Sequence, residues 1–192
     1  MSTRLSIAII ALISIGAFIT WSYWPTATST FDLDGHSLDP FTVGATATAL
    51  IFVGTDCPIS NRYAPEIQRL AARYSAEGVR FWLVYVDPNL EAEEIRRHLS
   101  DFGHEIPALH DPEHALVQKA KATVTPEASV FDANGQLVYS GRIDDRYIDF
   151  GKARPNPRNR DLEEALQATL AGRAPAYERT RAVGCYIADL KE

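Results

Sequence analysis

Two continuous apolar runs limit the fold more than any other feature of this chain. Residues 48–53 read TALIFV and residues 79–86 read VRFWLVYV. Runs that lack polar alternation predict strands covered on both faces, as in parallel sheets. Between them, apolar residues recur at helical spacing over 60–75, which predicts an amphipathic helix. A strand, a helix and a second strand in this order predict a parallel pair joined by a crossover helix.

The same alternation continues through the rest of the chain. The turn sequence DANG lies between two short apolar segments and predicts a hairpin. Asp161 and Glu164 have the spacing of a capping box, and Asp111 with Pro112 has the pattern of a helix start. The predicted helices are 60–75, 91–102, from 111 onward and 161–171, and the predicted strands are 31–35, 41–43, 48–53, 79–86, 106–109, 128–131 and 136–139. The sequence therefore predicts an α/β domain with a mainly parallel sheet, flanked by helices and bordered by a hairpin.

The N-terminal segment predicts a membrane anchor. Residues 5–24 carry no charge and are long enough to cross a bilayer as a helix. Arg4 precedes this segment and Asp32 follows it, which favours a cytoplasmic N-terminus and an extracytoplasmic body. A cleaved signal peptide, cut after Ser29, is the alternative. In both cases the two cysteines of the chain work where disulfides persist.

Length and charge set the broad class. The chain has 192 residues, which after an anchor at 1–25 predicts one domain at 26–172 and a tail at 173–192. Because the net charge is −6, we expect no nucleic-acid partner. Residues 144–160 form a loop too long for a simple connection, and we consider it a candidate docking surface for a partner protein.

Cys57 is the strongest candidate for a chemically reactive residue. It follows the first apolar run, at the sheet edge where α/β proteins form their sites. Pro58 fits the first helical position, so Cys57 is predicted to be the N-cap. Helix amides and the helix dipole favour the thiolate, which is the nucleophile in disulfide exchange, whereas Asp56 opposes a second negative charge. The alternative interpretation is a small buried residue at a helix end.

Several motifs in a fixed order make the chain resemble the thioredoxin fold. They are Cys57-Pro58-Ile59-Ser60 after an apolar strand, Pro65 eight positions beyond the cysteine, Val124-Thr125-Pro126 before a strand, and the hairpin that follows. Within that fold the chain resembles the redoxins grouped with alkyl hydroperoxide reductase and thiol-specific antioxidant proteins, including membrane-anchored thiol-disulfide proteins. The resemblance covers approximately residues 31–172.

This resemblance implies a central mixed sheet flanked by helices, preceded here by the transmembrane helix. It implies a thiol-disulfide oxidoreductase that acts on a protein disulfide or thiol and needs no cofactor. Cys57 would be the nucleophile and Ser60 would hydrogen-bond its thiolate. Pro126 would be a cis-proline beside Cys57 and would shape the edge where substrate docks.

The chain also departs from the related families. Ser60 stands where thioredoxins have a second cysteine, so a local C-x-x-C disulfide is impossible. Peroxiredoxins carry an arginine near the position of Pro126, and Thr55 matches their threonine only loosely. Arg142 is the candidate replacement for that arginine, although its surroundings fit a surface ion pair equally well. A peroxidase that acts on a small peroxide is therefore an alternative function.

Cys185 is the remaining cysteine, in the tail. If the tail returns to Cys57, Cys185 is the resolving thiol of a redox-active pair, but a structural disulfide and an unpaired or intermolecular thiol are alternatives.

We predict no metal site, because two distant cysteines cannot build a zinc pattern. A non-catalytic or copper-handling module that uses both cysteines and a histidine is a further alternative. His110 and His114 are separated by a predicted helix start and need not share a face.

Overall fold

The computed structural model describes residues 30–41 and 44–188 of the chain. Strands alternate with helices in the first half, and five successive strands then precede the last helix. The strands are β1 Ala47–Val53, β2 Val79–Tyr85, β3 Ala108–His110, β4 Val124–Thr125, β5 Glu127–Asp132, β6 Leu137–Gly141, β7 Tyr147–Asp149, β8 Lys152–Ala153 and β9 Cys185–Tyr186. The α-helices are α1 Pro58–Tyr74, α2 Ala92–Asp101, α3 Ala115–Ala120 and α4 Asp161–Leu170.

The central sheet has five strands in the order β3-β2-β1-β5-β6. β1 pairs in parallel with β2, and β2 pairs in parallel with β3. β5 runs antiparallel to both β1 and β6. This confirms the predicted mixed sheet with a hairpin at one side. Because β1 is the middle strand, every one of its residues is buried, which explains why its sequence shows no polar alternation.

Apolar cores lie on both faces of the sheet. On one face Ile51 of β1 packs in a cluster with residues of α1, α2 and α4, including Ile67 and Leu166. On the other face Leu50 and Phe52 belong to a second cluster with residues of α3. Alternate residues of β1 therefore serve opposite cores, as the geometry of a strand requires.

One predicted helix start and one predicted capping box are wrong. α3 begins at Ala115 rather than at 111–112, although the Asp111 carboxylate still accepts hydrogen bonds from the N–H groups of Leu116 and Val117. α4 has Arg160 as its N-cap, so the capping box predicted for Asp161 does not form. The Asp161 carboxylate is instead bound by an arginine from a distant segment. α2 carries a capping box, between Glu91 and Glu94, that we had not predicted.

The weaker sequence signals gave mixed results. Residues 31–35 were predicted as part of a weak strand or hairpin around a Gly-His turn. The chain forms a turn at Gly35 with isolated bridges from Phe31 to Ser37 and His110, and no regular strand. Phe41 is not in a strand, and 42–43 lie outside the described residues. Residues 144–160 contain the hairpin β7–β8 and are not a plain loop.

The predicted transmembrane helix at 5–24, the boundary at residue 25 and the cleavage site after Ser29 lie outside the described residues. None of the helices within 30–41 and 44–188 combines the length and apolar character needed to cross a membrane. The membrane anchor therefore stays a prediction.

The packing of β1 makes a direct prediction about stability. Ile51 is fully buried, so Ile51→Ala is expected to lower the free energy of unfolding by about 2–5 kcal/mol through lost burial and a residual cavity. Ile148→Ala is the matched control, because the same side chain is 43% exposed there and its loss should cost less than about 0.5 kcal/mol. Urea denaturation measures both. Equal costs for the two variants would contradict the described core.

Candidate active site

Cys57 lies where the middle strand ends and α1 begins. It is the N-cap of α1, with an extended backbone conformation, and Pro58 begins the helix, as predicted. The Cys57 N–H donates to the Gly54 carbonyl over 3.3 Å, closing a turn between strand and helix. The Cys57 side chain is 0% exposed. The position of Cys57 therefore fits both a reactive thiol and an inert buried residue at a helix end. The groups that contact its sulfur distinguish the two.

The tail brings the second cysteine onto the first. β9 pairs antiparallel with β4, which places Cys185 opposite Thr125 and Tyr186 opposite Val124. The two cysteines, 128 residues apart in sequence, come so close that the Cys185 thiol donates a hydrogen bond to Cys57 Sγ over 2.8 Å. Both are free thiols. The arrangement is a dithiol with its two sulfurs already in contact.

The segment before β5 forms the other wall of the site. The Thr125–Pro126 peptide bond is cis, as the resemblance implied. The Thr125 carbonyl accepts a hydrogen bond from the Cys57 thiol over 2.9 Å. A Cβ atom on Gly184 would overlap the Thr125 carbonyl and lie 3.1 Å from the Pro126 nitrogen. The tail therefore reaches this wall only because residue 184 has no side chain.

The tail is anchored on both sides of its cysteine. Upstream, the backbone of Ser140 in β6 makes two hydrogen bonds to the tail. Its N–H donates to the Glu178 carbonyl over 2.9 Å, and its carbonyl accepts from the Thr180 N–H over 3.1 Å. Downstream, the Ile187 N–H donates to the Thr123 carbonyl over 3.1 Å, and the Ile187 side chain is buried in the second core. These contacts hold β9 in register against β4.

The two thiols have opposite shifts in pKa. Burial raises the pKa of Cys57, but the hydrogen bond from Cys185 and the N–H and hydroxyl donors of Ser60 outweigh it, so this pKa is below its usual value. Burial, the bond to Cys57 and the negative charges of Cys57 and Asp56 raise the pKa of Cys185 to about 12. The Thr125 carbonyl acts against the thiolate, since it accepts only from a protonated sulfur. The net arrangement leaves the proton on Cys185 and favours the thiolate on Cys57.

A partly buried network of hydrogen bonds supports the turn that carries Cys57. Asn61 Nδ2 donates to the Thr55 carbonyl over 3.1 Å, and Asn61 Oδ1 lies 2.9 Å from His98 Nε2. His98 Nδ1 lies 2.8 Å from the Tyr85 hydroxyl. Burial lowers the pKa of His98, which favours the neutral ring that donates to Asn61 and accepts from Tyr85. We did not predict this network, because its members are scattered over three elements and form no motif.

Arg142 is not part of this group. Its Nε and Nη2 atoms donate to the Asp161 carboxylate over 2.8 and 3.0 Å, and this bond raises the pKa of Arg142. In the described part of the chain, no hydrogen bond or ion pair links Arg142 to Cys57. The structure thus brings Ser60, Pro126 and Cys185 around Cys57, places Thr55 in the adjacent turn, and leaves Arg142 in an ion pair.

Neither cysteine belongs to a group of potential metal ligands within the described residues. The group found there is Asp32, Asp34 and His36, which includes no sulfur. His110 and His114 each bond a backbone carbonyl through Nε2, to Asp87 and Val86 respectively. The histidine that the copper-handling alternative requires is therefore not at the sulfur pair.

The chain is similar to known proteins in sequence and in fold. The model of the Redoxin family matches residues 23–153, more than half of the chain. No curated protein matches the sequence.

Solved structures share the fold. A hypothetical protein from Sinorhizobium meliloti 1021 is 22% identical and has a TM-score of 0.69, with 82% of this chain and 87% of that chain covered. An uncharacterized conserved protein from Geobacillus kaustophilus is 25% identical, with 86% and 92% covered and a TM-score of 0.69. A secreted disulfide oxidoreductase from Mycobacterium tuberculosis, described as homologous to E. coli DsbE, is 17% identical, with 74% and 93% covered and a TM-score of 0.50.

The close approach at Gly184 predicts how access to Cys57 is controlled. Gly184→Ala should push β9 away from Thr125, because the new Cβ overlaps its carbonyl. Alkylation of Cys57 by iodoacetamide, followed by peptide mass spectrometry, should then accelerate by about tenfold or more, the effect of a 1.4 kcal/mol weaker tail contact. Gly135→Ala is the control, since that glycine has a positive φ but open space around it. An unchanged rate in Gly184→Ala would contradict the described cover over Cys57.

The hydrogen bond from Cys185 predicts a change in the pKa of Cys57. Cys185→Ser keeps a donor at this place and Cys185→Ala removes it. We expect the pKa of Cys57 to be higher in the alanine variant by about half to one unit, the value of one hydrogen bond. Ultraviolet absorbance of the thiolate during a pH titration measures it. An equal pKa in both variants would show that residue 185 donates no bond to the Cys57 thiolate.

Proposed function

This chain belongs to the redoxin family, and from that premise we propose that it is a thiol-disulfide oxidoreductase whose redox centre is the pair Cys57 and Cys185. The observation that carries the proposal is the 2.8 Å contact between the two sulfurs. A purely structural pair needs only proximity. Here the partners also differ in acidity. The pKa of Cys57 is lowered, as a nucleophile requires, whereas that of Cys185 is raised in part by the charge of Cys57, which is lost once Cys57 is in a mixed disulfide.

The proposed reaction balances as two exchange steps. The Cys57 thiolate attacks one sulfur of a substrate disulfide, and the other substrate sulfur leaves as a thiolate. Cys185 then gives its proton to the substrate thiolate that left first and attacks Cys57 Sγ in the mixed disulfide, which releases the second substrate thiolate. The substrate gains two electrons and becomes two thiols, while the protein becomes the Cys57–Cys185 disulfide. The donors of Ser60 stabilise the thiolate before the first step.

The tail strand determines how a polypeptide substrate reaches Cys57. Because Cys57 is fully covered, direct attack on a large substrate requires β9 to separate from β4. We propose that Pro126 shapes the edge at Val124–Thr125, so that a substrate strand can pair there after β9 has left. β9 contributes only two residues to this pairing. Its separation therefore costs few hydrogen bonds of the ladder.

The alternatives lack a comparable observation. A peroxidase of the kind considered above needs a cation at the sulfur, but the guanidinium of Arg142 is bound to Asp161. A copper-handling module needs a histidine beside the two thiols, and the described histidines near the sheet edge bond backbone carbonyls. The thiol-disulfide function uses the Cys185 thiol and the Ser60 donors that contact Cys57.

We propose the same arrangement of segments that the sequence predicts. Residues 1–25 would anchor the protein in a membrane, 26–172 would form the redoxin domain on the extracytoplasmic side, and 173–192 would be the tail. The uncharged run at 5–24 after Arg4 supports this topology. The hairpin β7–β8 presents the exposed side chains of Ile148 and Phe150, which suits the proposed docking of a partner protein by residues 144–160.

Single cysteine variants test the proposed roles. Reduction of hydroxyethyl disulfide by Cys57→Ser should fall by at least about 100-fold, since the nucleophile is absent. Cys185→Ser should stop after the first step and accumulate a mixed disulfide on Cys57, which intact-mass spectrometry detects. Ala182→Ser is the control for a small change in the tail. Turnover at the wild-type rate by both cysteine variants would refute the proposal.

A further inference from the structure

Of the two cysteines at this site, Cys185 is the one with solvent-exposed surface. Cys57 is 0% exposed, whereas Cys185 is partly exposed. Cys185 lines a cleft of about 290 Å³ between the turn before α1, the segment after β2 and the tail. A reagent that enters this cleft in the closed structure therefore reaches Cys185 first.

The size of the cleft fits a small molecule. Its volume lies near the lower end of ligand pockets, which measure about 300–1,000 Å³. An extended polypeptide would need the neighbouring edge of β4, and β9 already occupies that edge. A small molecule needs no such edge, so the tail can stay in place while it binds.

The walls of the cleft carry negative charge without a basic counterpart. Asp56 and Asp87 both line it and are exposed, and none of the described residues in its lining is lysine, arginine or histidine. The charge of Asp56 also acts on Cys185, where it helps to raise the pKa. A low-dielectric cleft with one sign of charge concentrates ligands of the opposite sign. A cationic ligand is therefore favoured over an anionic one.

We propose that this cleft admits a small aminothiol, a thiol that carries a positively charged amine, and that the aminothiol reduces the Cys57–Cys185 disulfide by attack at Cys185. The inference rests on the proposed function, because it requires that the two cysteines form a disulfide. It adds the chemical class of the electron donor and the sulfur that this donor attacks.

The reduction balances with two aminothiols. The thiolate of the first attacks Cys185 Sγ, the bond between the two protein sulfurs breaks, and Cys57 leaves as the thiolate. Cys57 is the better leaving group, because the N–H and hydroxyl donors of Ser60 stay beside it and stabilise its negative charge. A second aminothiol attacks the aminothiol sulfur of the mixed disulfide, and Cys185 leaves and takes up a proton. The products are the protein dithiol and an aminothiol disulfide.

Three thiols of similar size and different charge test this site. Full-length oxidised protein is mixed with cysteamine, mercaptoethanol or mercaptopropionate at low ionic strength, and each rate is expressed per thiolate to correct for thiol acidity. Cysteamine should be fastest and mercaptopropionate slowest, with a spread of about tenfold that shrinks when salt is added. The double variant Asp56→Asn with Asp87→Asn should remove most of the spread. Asp149→Asn, at an exposed carboxylate outside this cleft, should keep it.

The outcomes separate the inference from the function on which it rests. Equal rates for the three thiols, or a spread that persists in the double variant, would overturn the cationic donor site and leave the oxidoreductase intact. A thiol adduct trapped on Cys57 during reduction of the wild-type disulfide would place the attack there and would also overturn it. A failure to form any Cys57–Cys185 disulfide would refute the proposed function itself. A cysteamine adduct trapped on Cys185, and not on Cys57, during reduction of the wild-type disulfide would support the assigned point of attack.

Discussion

The close contact between the tail and the wall of the site brings the two sulfurs together and controls access to Cys57. β9 lies against β4 at a distance that only a glycine at residue 184 permits. That contact covers Cys57, brings the Cys185 thiol to its sulfur and leaves Cys185 as the partly exposed member of the pair. Access, acidity and the order of reaction at the two sulfurs therefore depend on one short strand pairing.

Local patterns were sufficient to predict the framework of this fold. β1 and α1 follow from an apolar run and a helical periodicity, because burial on two faces or on one face leaves those patterns in a sequence. The N-cap position of Cys57 follows from Pro58, whose fixed φ suits the first helical residue. The cis bond at Pro126 was implied by family resemblance and is present, but nothing in its local sequence requires it.

Features that depend on partners distant in sequence were not predictable in the same way. Asp161 resembles a capping residue, and only the folded chain shows that Arg142 binds its carboxylate. The two residues of β9 are too few to produce a periodic pattern, so no pattern in the tail predicted that it pairs with β4. The hydrogen-bond network that joins Thr55, Asn61 and His98 could not be predicted either, because such a network imposes no regular spacing on the sequence.

The most direct test of the account is a redox titration of the full-length chain in thiol buffers, with disulfides assigned by peptide mapping under non-reducing conditions. The account predicts one link, between Cys57 and Cys185, that forms and breaks at a potential in the range of known oxidoreductases, roughly −120 to −270 mV. Two thiols that stay free at every potential would contradict the account. A disulfide with a reduction potential below about −300 mV would also contradict it, because disulfides in that range are structural.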